Sequence, residues 1–414
     1  MKETITIDLI QSAAIGALAL VIGMFLTRKI GWLQKFCIPS PVSGGIIFSV
    51  VTLLFYAFCD IEITFDSTLK DFFMLTFFTS VGFQSDLKVI KHGGKALTMM
   101  LVLLVLIIFV QNLTPLAITN ALNLDPLFGM AAGSISMAGG HGTAGGFSDV
   151  LESMGLHGAS TIAMASATFG LIAGSVIGGP VAERLIRRHL TSEHLEPKDY
   201  EMDPGLVGIE SEESLPSGRA DHVSSNEKEF KEYAAASYTI LIAMGLGTIA
   251  SELLQHTGIH FPTYFGALIV AAILRNVFQG TRFASDTRYD RITSVGNIAL
   301  SLFLGMAMMS LKLWELQTLA VPLLLILVSQ VVVMIAIANF VAFRMLGADY
   351  DAAVLVAGIC GFGLGATPNA MANMNAVCYK YHYTVKPFLV VPIIGAMFVD
   401  LLNTAIITLF LNVI

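Results

Sequence analysis

The chain alternates between long apolar runs, in which Asp400 is the only charged residue, and shorter charged connections. Six such runs precede an acidic loop at residues 183–235, and six follow it. Most runs hold about twenty residues or more, the length that a helix needs to cross the hydrocarbon core of a bilayer. With 55% hydrophobic and only 13% charged residues, the 414-residue chain has more apolar surface than one soluble core could bury. The sequence therefore predicts an all-α integral membrane protein.

The twelve runs divide evenly between two halves. The first half contains runs at 9–27, 36–59, 72–85, 96–124, 126–148 and 153–182. The second half contains runs at 234–251, 253–274, 292–311, 316–343, 352–379 and 387–413.

The fifth run of each half is rich in glycine. The first contains AGSISMAGGHGTAGG at residues 132–146, and the second contains AGICGFGLGATPNAMANMNA at residues 357–376. Glycine and proline disfavour a continuous helix, and polar backbone inside a bilayer is tolerated only against protein or a wet cavity. These two runs are therefore predicted to be broken near the middle of the membrane.

Charge bias predicts how the two glycine-rich runs meet the membrane, because Lys and Arg collect in cytoplasmic loops. If all twelve runs crossed, the connections on one side would hold 14 Lys and Arg and those on the other side 9. If each glycine-rich run enters and leaves on one side, the counts become 20 and 3. We therefore expect re-entrant hairpins at 126–148, entering from outside, and at 352–379, entering from the cytoplasm.

Two re-entrant segments leave five transmembrane helices in each half, so the halves must be inverted repeats. The predicted repeats are residues 1–182 and 236–414, joined by an acidic cytoplasmic linker at 183–235 with 13 Asp and Glu against 7 Lys and Arg. Both termini are predicted to lie outside. The strings MLTFFTSVGFQSDLK (74–88) and ALSLFLGMAMMSLK (299–312) are a trace of this repeat.

Two broken segments that approach from opposite faces would create a water-accessible pocket. Free amides at a broken helix end suit a carboxylate, and hydroxyl, amide and carbonyl oxygens suit Na+. The predicted substrate-binding residues are Ser136, Gly140, His141, Gly142, Thr143, Gly363, Gly365, Thr367, Asn369 and Asn373. The predicted Na+ ligands are Ser134, Thr143, Asn373 and Asp400. A lone histidine such as His141 can also be a hydrogen-bonded structural group.

Asp400 is the only charged residue in the last run. Asn403, Thr404 and Thr408 follow it at helical spacing, and this polar stripe is expected to face the hairpins. Asp400 could complete a Na+ site or bind the substrate ammonium; alternatively, it could accept hydrogen bonds that hold the turns in place.

Several strings are similar to the bacterial sodium:glutamate symporter family. They are GGHGT (139–143), LFLGMAMMSLKLWEL (302–316), GFGLGATPNAMANM (361–374) and FLVVPIIGAMFVDLLN (388–403). The resemblance implies Na+-coupled glutamate uptake across the bacterial cytoplasmic membrane, inverted five-helix repeats, a homodimer and an elevator-like movement. It also implies an architecture similar to that of sodium:citrate carriers. The chain has Ile359 where the family pattern G-H-C-G-F-G has histidine.

Moving glutamate inward against an interior-negative potential costs about 2.3 kcal/mol per 100 mV, so at least two Na+ per substrate are expected. A Na+- or H+-coupled carrier of a related dicarboxylate or 2-hydroxy acid is the alternative, and a channel is a distant one. Neither HExxH nor GxGD occurs, so no enzyme is predicted. The expected partners are glutamate, Na+, membrane lipid and a second copy of the chain, without nucleic acid.

Overall fold

A computed structural model describes residues 3–86, 94–190, 222–256, 261–278, 286–317 and 319–414. Most of the predicted acidic linker, residues 191–221, lies outside the described residues. So do Lys88, Lys91 and Arg282, three of the predicted cytoplasmic charges.

The described part of the chain is almost entirely helical. The first half contains α1 (Leu9–Lys29), α2 (Gly31–Lys35), α3 (Ser40–Phe58), α4 (Thr68–Gln84), α5 (Gly94–Ala121), α6 (Pro126–Ala131), α7 (Gly140–Ser153) and α8 (Ala159–His189). The second half contains α9 (His222–Gln255), α10 (Thr263–Val277), α11 (Asp286–Met309), α12 (Ala320–Met345), α13 (Tyr350–Leu364), α14 (Thr367–Lys380) and α15 (Val385–Leu411).

Eight helices in the described ranges are long and apolar enough to cross a membrane: α1, α3, α5, α8, α9, α11, α12 and α15. The predicted spans at 72–85 and 253–274 correspond to the shorter helices α4 and α10, of 17 and 15 residues. The prediction of an all-α membrane protein is confirmed. A small element that the sequence did not reveal is a parallel pair of strands, β1 (Glu3–Ile7) and β2 (Ile61–Phe65).

Each glycine-rich run folds as two short helices separated by a break. The first consists of α6 and α7, and the second of α13 and α14; we call these pairs hairpin 1 and hairpin 2. An aspartate caps the entrance of each hairpin. Asp125 accepts a hydrogen bond from the Leu127 amide at 2.8 Å, and Asp349 accepts one from the Ala352 amide at 2.8 Å. The caps satisfy amides that the first helical turn leaves without partners.

The helices pack in two groups. The scaffold group contains α1, α3, α4, α9, α10 and α11, and the core group contains α5 to α8 and α12 to α15. In the core, the 31-residue helix α8 packs against both hairpins. In the scaffold, glycines allow direct backbone contact. A Cβ on Gly44 of α3 would collide with the Ala19 carbonyl of α1, and one on Gly247 of α9 would collide with Ala267 of α10.

The contact at Gly44 generates a stability prediction. Gly44→Ala forces α1 and α3 apart, and overpacking of this kind costs about 1–3 kcal/mol. We expect a lower thermal-unfolding midpoint for the purified protein in detergent. Gly245→Ala is the matched control, because a Cβ there meets nothing within 4 Å and helix propensity favours alanine. Equal midpoints for the two variants would contradict the packing argument.

Candidate functional site

The breaks of the two hairpins meet inside the protein. Gly140 begins α7 with a positive φ of 57°, a conformation that side chains other than glycine rarely adopt. A Cβ on Gly140 would lie 2.9 Å from the carbonyl oxygen of Gly365, at the break of hairpin 2. The sequence-predicted residues Gly140 and Gly365 are therefore neighbours, although 225 positions separate them in the chain.

A cavity of about 400 Å³ opens at this meeting point. The core group lines it with Ala138, Gly139, Gly140, His141, Gly142, Leu171, Phe362, Gly365, Ala366, Thr367, Pro368, Gly395, Ala396, Val399 and Asp400. The scaffold side lines it with Pro39, Pro41, Phe77, Val81, Gln84, Asn297, Leu300, Ser301 and Leu304. The cavity thus lies between the two packing groups and is large enough for an amino acid.

Two helix amino termini open into the cavity. Gly140, His141 and Gly142 form the first turn of α7, whose amides have no preceding helical carbonyl to bind. Thr367 begins α14 on the opposite hairpin. Both ends carry partial positive charge, and none of the described residues that line the cavity is Lys or Arg. The cavity therefore presents backbone amides to an anion.

Asp400 supplies a carboxylate to the same cavity. A π-helical turn at Ile394–Phe398 directly precedes the segment that carries it, two residues after Pro392, which lacks an amide hydrogen. The hydroxyl of Thr143 in α7 donates to Asp400 Oδ1 at 3.4 Å. Asn403 Nδ2 donates to the carbonyl of Ser134 in hairpin 1 at 3.0 Å. The polar stripe on α15 therefore faces hairpin 1.

Oxygen atoms without partners lie next to this contact. Ser134 Oγ and Asn403 Oδ1 are buried and accept or donate no hydrogen bond among the described residues. A Cβ on Gly139 would lie 2.6 Å from both Asn403 Nδ2 and Thr143 Oγ1, so the Asn403 and Thr143 side chains both pack against Gly139. Buried polar atoms normally have partners, so these oxygens suit a bound cation or water.

His141 is held by α8. Its Nε2 lies 3.0 Å from Thr168 Oγ1, and Thr168 donates its own hydroxyl proton to the Met164 carbonyl at 2.9 Å. Because a hydroxyl has one proton, Thr168 accepts the bond from His141, and the Nε2 of the imidazole carries the proton. In neutral His141 this leaves Nδ1 as an acceptor.

Four sequence-predicted residues are engaged elsewhere in the core group. Ser136 Oγ lies 2.5 Å from the Ala131 carbonyl and 2.9 Å from the Ala163 carbonyl, so its single hydroxyl proton is shared between them or bonds to one of them. Asn369 Nδ2 donates to the Leu171 carbonyl and to Ser175 Oγ. Asn373 Nδ2 donates to the carbonyls of Gly174 and Ala357. The carbonyl of Gly363 accepts from Gln111. In this structure these groups join hairpins to neighbouring helices, and none of the four residues lines the cavity.

Two adjacent side-chain amides in α5, which are not among the sequence-predicted site residues, also bind the hairpins. Gln111 Nε2 donates to the Gly363 carbonyl in hairpin 2 at 2.5 Å, and Asn112 Oδ1 accepts from the Ser134 amide in hairpin 1 at 3.0 Å. Gln330 of α12 donates to the Gln111 carbonyl at 2.7 Å. A signal was present, because Gln111 and Asn112 are polar residues in the middle of an apolar run.

Comparison with known proteins identifies the family. The family model described as sodium/glutamate symporter matches residues 5–383. The chain belongs to the sodium/glutamate symporter family. The resemblance seen in its motifs is thereby confirmed, and members of this family are transporters and not enzymes.

Curated relatives match over nearly the full length of this family member. The sodium/glutamate symporter of Escherichia coli (strain K12) is 39% identical over 407 residues, covering 98% of both chains. That of Haemophilus influenzae is 38% identical over 402 residues, covering 97% of this chain and 96% of the relative. The solved sodium proton antiporter MjNhaP1 of Methanocaldococcus jannaschii aligns over 98% of both chains at 16% identity, and its TM-score of 0.42 is too low to transfer its helix arrangement.

The contact between the two breaks generates a second prediction. Gly140→Ala places a side chain in a left-handed conformation, at a cost of roughly 1–2 kcal/mol, and pushes against the Gly365 carbonyl. We expect transport by the purified protein in liposomes to fall by about tenfold or more, with normal yield.

Gly179→Ala in α8 is the control, because a Cβ there meets nothing within 4 Å. Undiminished transport by Gly140→Ala would mean that the meeting of the hairpins is not needed for activity.

Proposed function

We propose that this family member carries glutamate into the bacterial cytoplasm together with Na+, by alternating access of the cavity between the two hairpins. The observation that carries the proposal is the combination of two helix amino termini and one carboxylate in a cavity whose described lining contains no Lys or Arg. An amino acid carries both charges that this cavity complements. The names of the curated relatives agree with this substrate and this ion.

In this proposal, each charged backbone group of glutamate binds the part of the cavity that has the opposite charge. Its α-carboxylate accepts hydrogen bonds from the amides of Gly140, His141 and Gly142 at the start of α7, and from Thr367 at the start of α14. Its ammonium group binds Asp400. A 2-hydroxy acid or simple dicarboxylate has no ammonium to offer, so Asp400 favours an amino acid over the alternative substrates.

In this proposal, Na+ binds at the contact between hairpin 1 and α15. Ser134 Oγ and Asn403 Oδ1 are oxygens without partners in the described chain, and Thr143 and Asp400 lie beside them. Hard oxygen donors of this kind suit a small cation. Asn403 thus joins the sequence-predicted ligands Ser134, Thr143 and Asp400. The proposed site does not include Asn373, because its side-chain amide donates to the Gly174 carbonyl of α8.

Asp400→Asn tests the cation site. It preserves shape but removes charge, so we expect the Na+ concentration for half-maximal glutamate uptake to rise about tenfold in proteoliposomes. Ser134→Ala should shift it in the same direction, because one oxygen ligand is lost. The control is Asp149→Asn, an exposed carboxylate at the end of α7. If Asp400→Asn loses only thermal stability and keeps its Na+ dependence, Asp400 is structural.

The stoichiometry has its own test. With at least two Na+ per glutamate, each cycle moves net positive charge inward, and an interior-negative potential favours uptake. A K+ diffusion potential imposed on proteoliposomes at a fixed Na+ gradient should therefore raise the initial rate. A rate that does not respond to the potential would indicate electroneutral transport with one Na+.

Both hairpins are proposed to be re-entrant, and five ion pairs support this topology. They are Lys312–Glu62 at 2.7 Å, Lys70–Asp149 at 3.7 Å, Arg275–Asp86 at 3.2 Å, Lys380–Glu183 at 2.6 Å and Lys386–Asp351 at 3.6 Å. If all twelve apolar runs crossed the bilayer, every one of these pairs would join opposite membrane faces, which are about 30 Å apart. With two re-entrant hairpins, each pair joins residues on one face.

Repeated local features support inverted repeats at 1–182 and 236–414. Asp125 and Asp349 cap the entrances of the two hairpins. The pair α1 and α3 crosses at Gly23 and Gly44, and the pair α9 and α10 crosses at Gly247 and Gly266. We further propose that the core group moves like an elevator against the scaffold group and that the scaffold forms a homodimer.

Single cysteines test re-entry. In a background without the four native cysteines, Asn123→Cys before hairpin 1 and His157→Cys after it should both react with an impermeant thiol reagent added outside. Ala348→Cys and Tyr379→Cys, on either side of hairpin 2, should react only after access to the cytoplasmic face. Asn123, His157, Ala348 and Tyr379 are all exposed. Labelling of Asn123→Cys and His157→Cys from opposite sides would show that the first glycine-rich run crosses the membrane.

A further inference from the structure

Three polar side chains line the cavity opposite the hairpins. Gln84 lies at the end of α4, and Asn297 and Ser301 lie in α11. All three belong to the scaffold group, and the remaining scaffold residues in the lining are apolar or proline. None of the three is needed for the α-carboxylate, the ammonium or the Na+ in the proposed function.

Packing brings these side chains to one place. Gly296, the neighbour of Asn297, packs directly against the Ser80 side chain of α4. Gln84 lies one helical turn after Ser80, on the same face of α4. Ser301 lies one turn after Asn297 and donates its hydroxyl to the Asn297 carbonyl at 2.9 Å. The crossing of α4 and α11 therefore gathers Gln84, Asn297 and Ser301 on one wall.

The two amides are available for a ligand. Neither the Gln84 nor the Asn297 side chain hydrogen-bonds to any other part of the chain that the structure describes, and Asn297 is exposed to the cavity. Side-chain amides usually hydrogen-bond to protein or water, so a cluster of two in an apolar wall is a site for a polar group.

The substrate has one polar group left to place. With its α-carboxylate at the hairpins and its ammonium at Asp400, glutamate extends its second carboxylate towards the facing wall. A carboxylate usually pairs with Arg or Lys, and none of the lining residues described is either. The side-chain amides of Asn297 and Gln84 are the neutral donors that can bind it there, and the Ser301 hydroxyl can join them by rotating away from the Asn297 carbonyl.

We propose that Asn297, assisted by Gln84 and Ser301, binds the side-chain carboxylate of the transported amino acid and sets its specificity. This inference rests on the proposed function, because it takes glutamate transport as given. The scaffold then selects the side-chain carboxylate, whereas the hairpins and α15 bind Na+ and the α-carboxylate and ammonium that all amino acids share. Chain length matters as a result, since aspartate is one methylene shorter and reaches this wall less well.

The test compares Asn297→Ala and Asn297→Asp with wild type in proteoliposomes driven by a Na+ gradient. Asn297→Ala should raise the KM for glutamate by about tenfold or more, because a hydrogen bond to a charged group is lost, with little change in kcat. Asn297→Asp should repel the distal carboxylate but accept a hydrogen bond from an amide. Unlabelled glutamine should then compete better than glutamate, the reverse of wild type.

Two further measurements separate specificity from damage to the fold or to the ion site. The Na+ concentration for half-maximal uptake, at saturating glutamate, should stay at the wild-type value in both variants. Ser301→Ala should raise the glutamate KM more weakly. Ser294→Ala is its matched control, because Ser294 makes the same kind of hydroxyl-to-carbonyl bond two turns earlier on α11 and does not line the cavity. Asn339→Ala is the control for Asn297→Ala, because it also removes a side-chain amide from an apolar helix, α12, but at a position that does not line the cavity.

If Asn297→Asp yields no folded protein, competition by unlabelled glutamate and glutamine is measured with Ser301→Ala and Gln84→Met instead. An unchanged glutamate KM and an unchanged order of competitors in the folded variants would overturn the inference while leaving the proposed function intact. Absence of Na+-driven glutamate uptake by wild type would instead overturn the proposed function itself.

Discussion

Broken backbone inside a membrane must find its hydrogen-bond partners within the protein, and the rest of this structure depends on that constraint. Asn112 accepts from the Ser134 amide, Asn403 donates to the Ser134 carbonyl, and Gln111 donates to the Gly363 carbonyl. These amides occur in otherwise apolar helices, where a polar side chain is costly without a partner. By fixing the interruptions, they leave the helix ends at Gly140 and Thr367 open to the cavity.

In the proposed function, backbone amides take the place of basic side chains at this cavity. A buried Lys or Arg would have to be desolvated in every transport cycle, whereas helix termini supply partial charges that the fold itself orients. Glycine makes this possible because the two breaks approach within van der Waals contact, as at Gly140 and Gly365.

Two independent features of the charged residues bear on the membrane topology: the distribution of Lys and Arg along the sequence and the ion pairs between distant loops. The distribution of Lys and Arg along the sequence predicted which loops share a membrane face, without any knowledge of contacts. The ion pairs Lys70–Asp149 and Lys380–Glu183 depend on contacts and are independent of that count, yet they support the same two re-entrant segments. The agreement arises because a short ion pair cannot span the bilayer.

The sequence alone determined the medium, the apolar runs and the positions of the two interruptions, because these depend on local composition: run length, glycine content and charge. It also identified Gly140, His141, Gly142, Gly365, Thr367 and Asp400, which the tertiary structure places around one cavity. Only the tertiary structure decided that Ser136, Asn369 and Asn373 bind neighbouring helices, that Asn403 binds the break of hairpin 1, and that Asn297 and Gln84 line the cavity. The physical reason is that residue type shows which hydrogen bonds a side chain can make, whereas the rotation and crossing of helices distant in sequence decide which partner it meets.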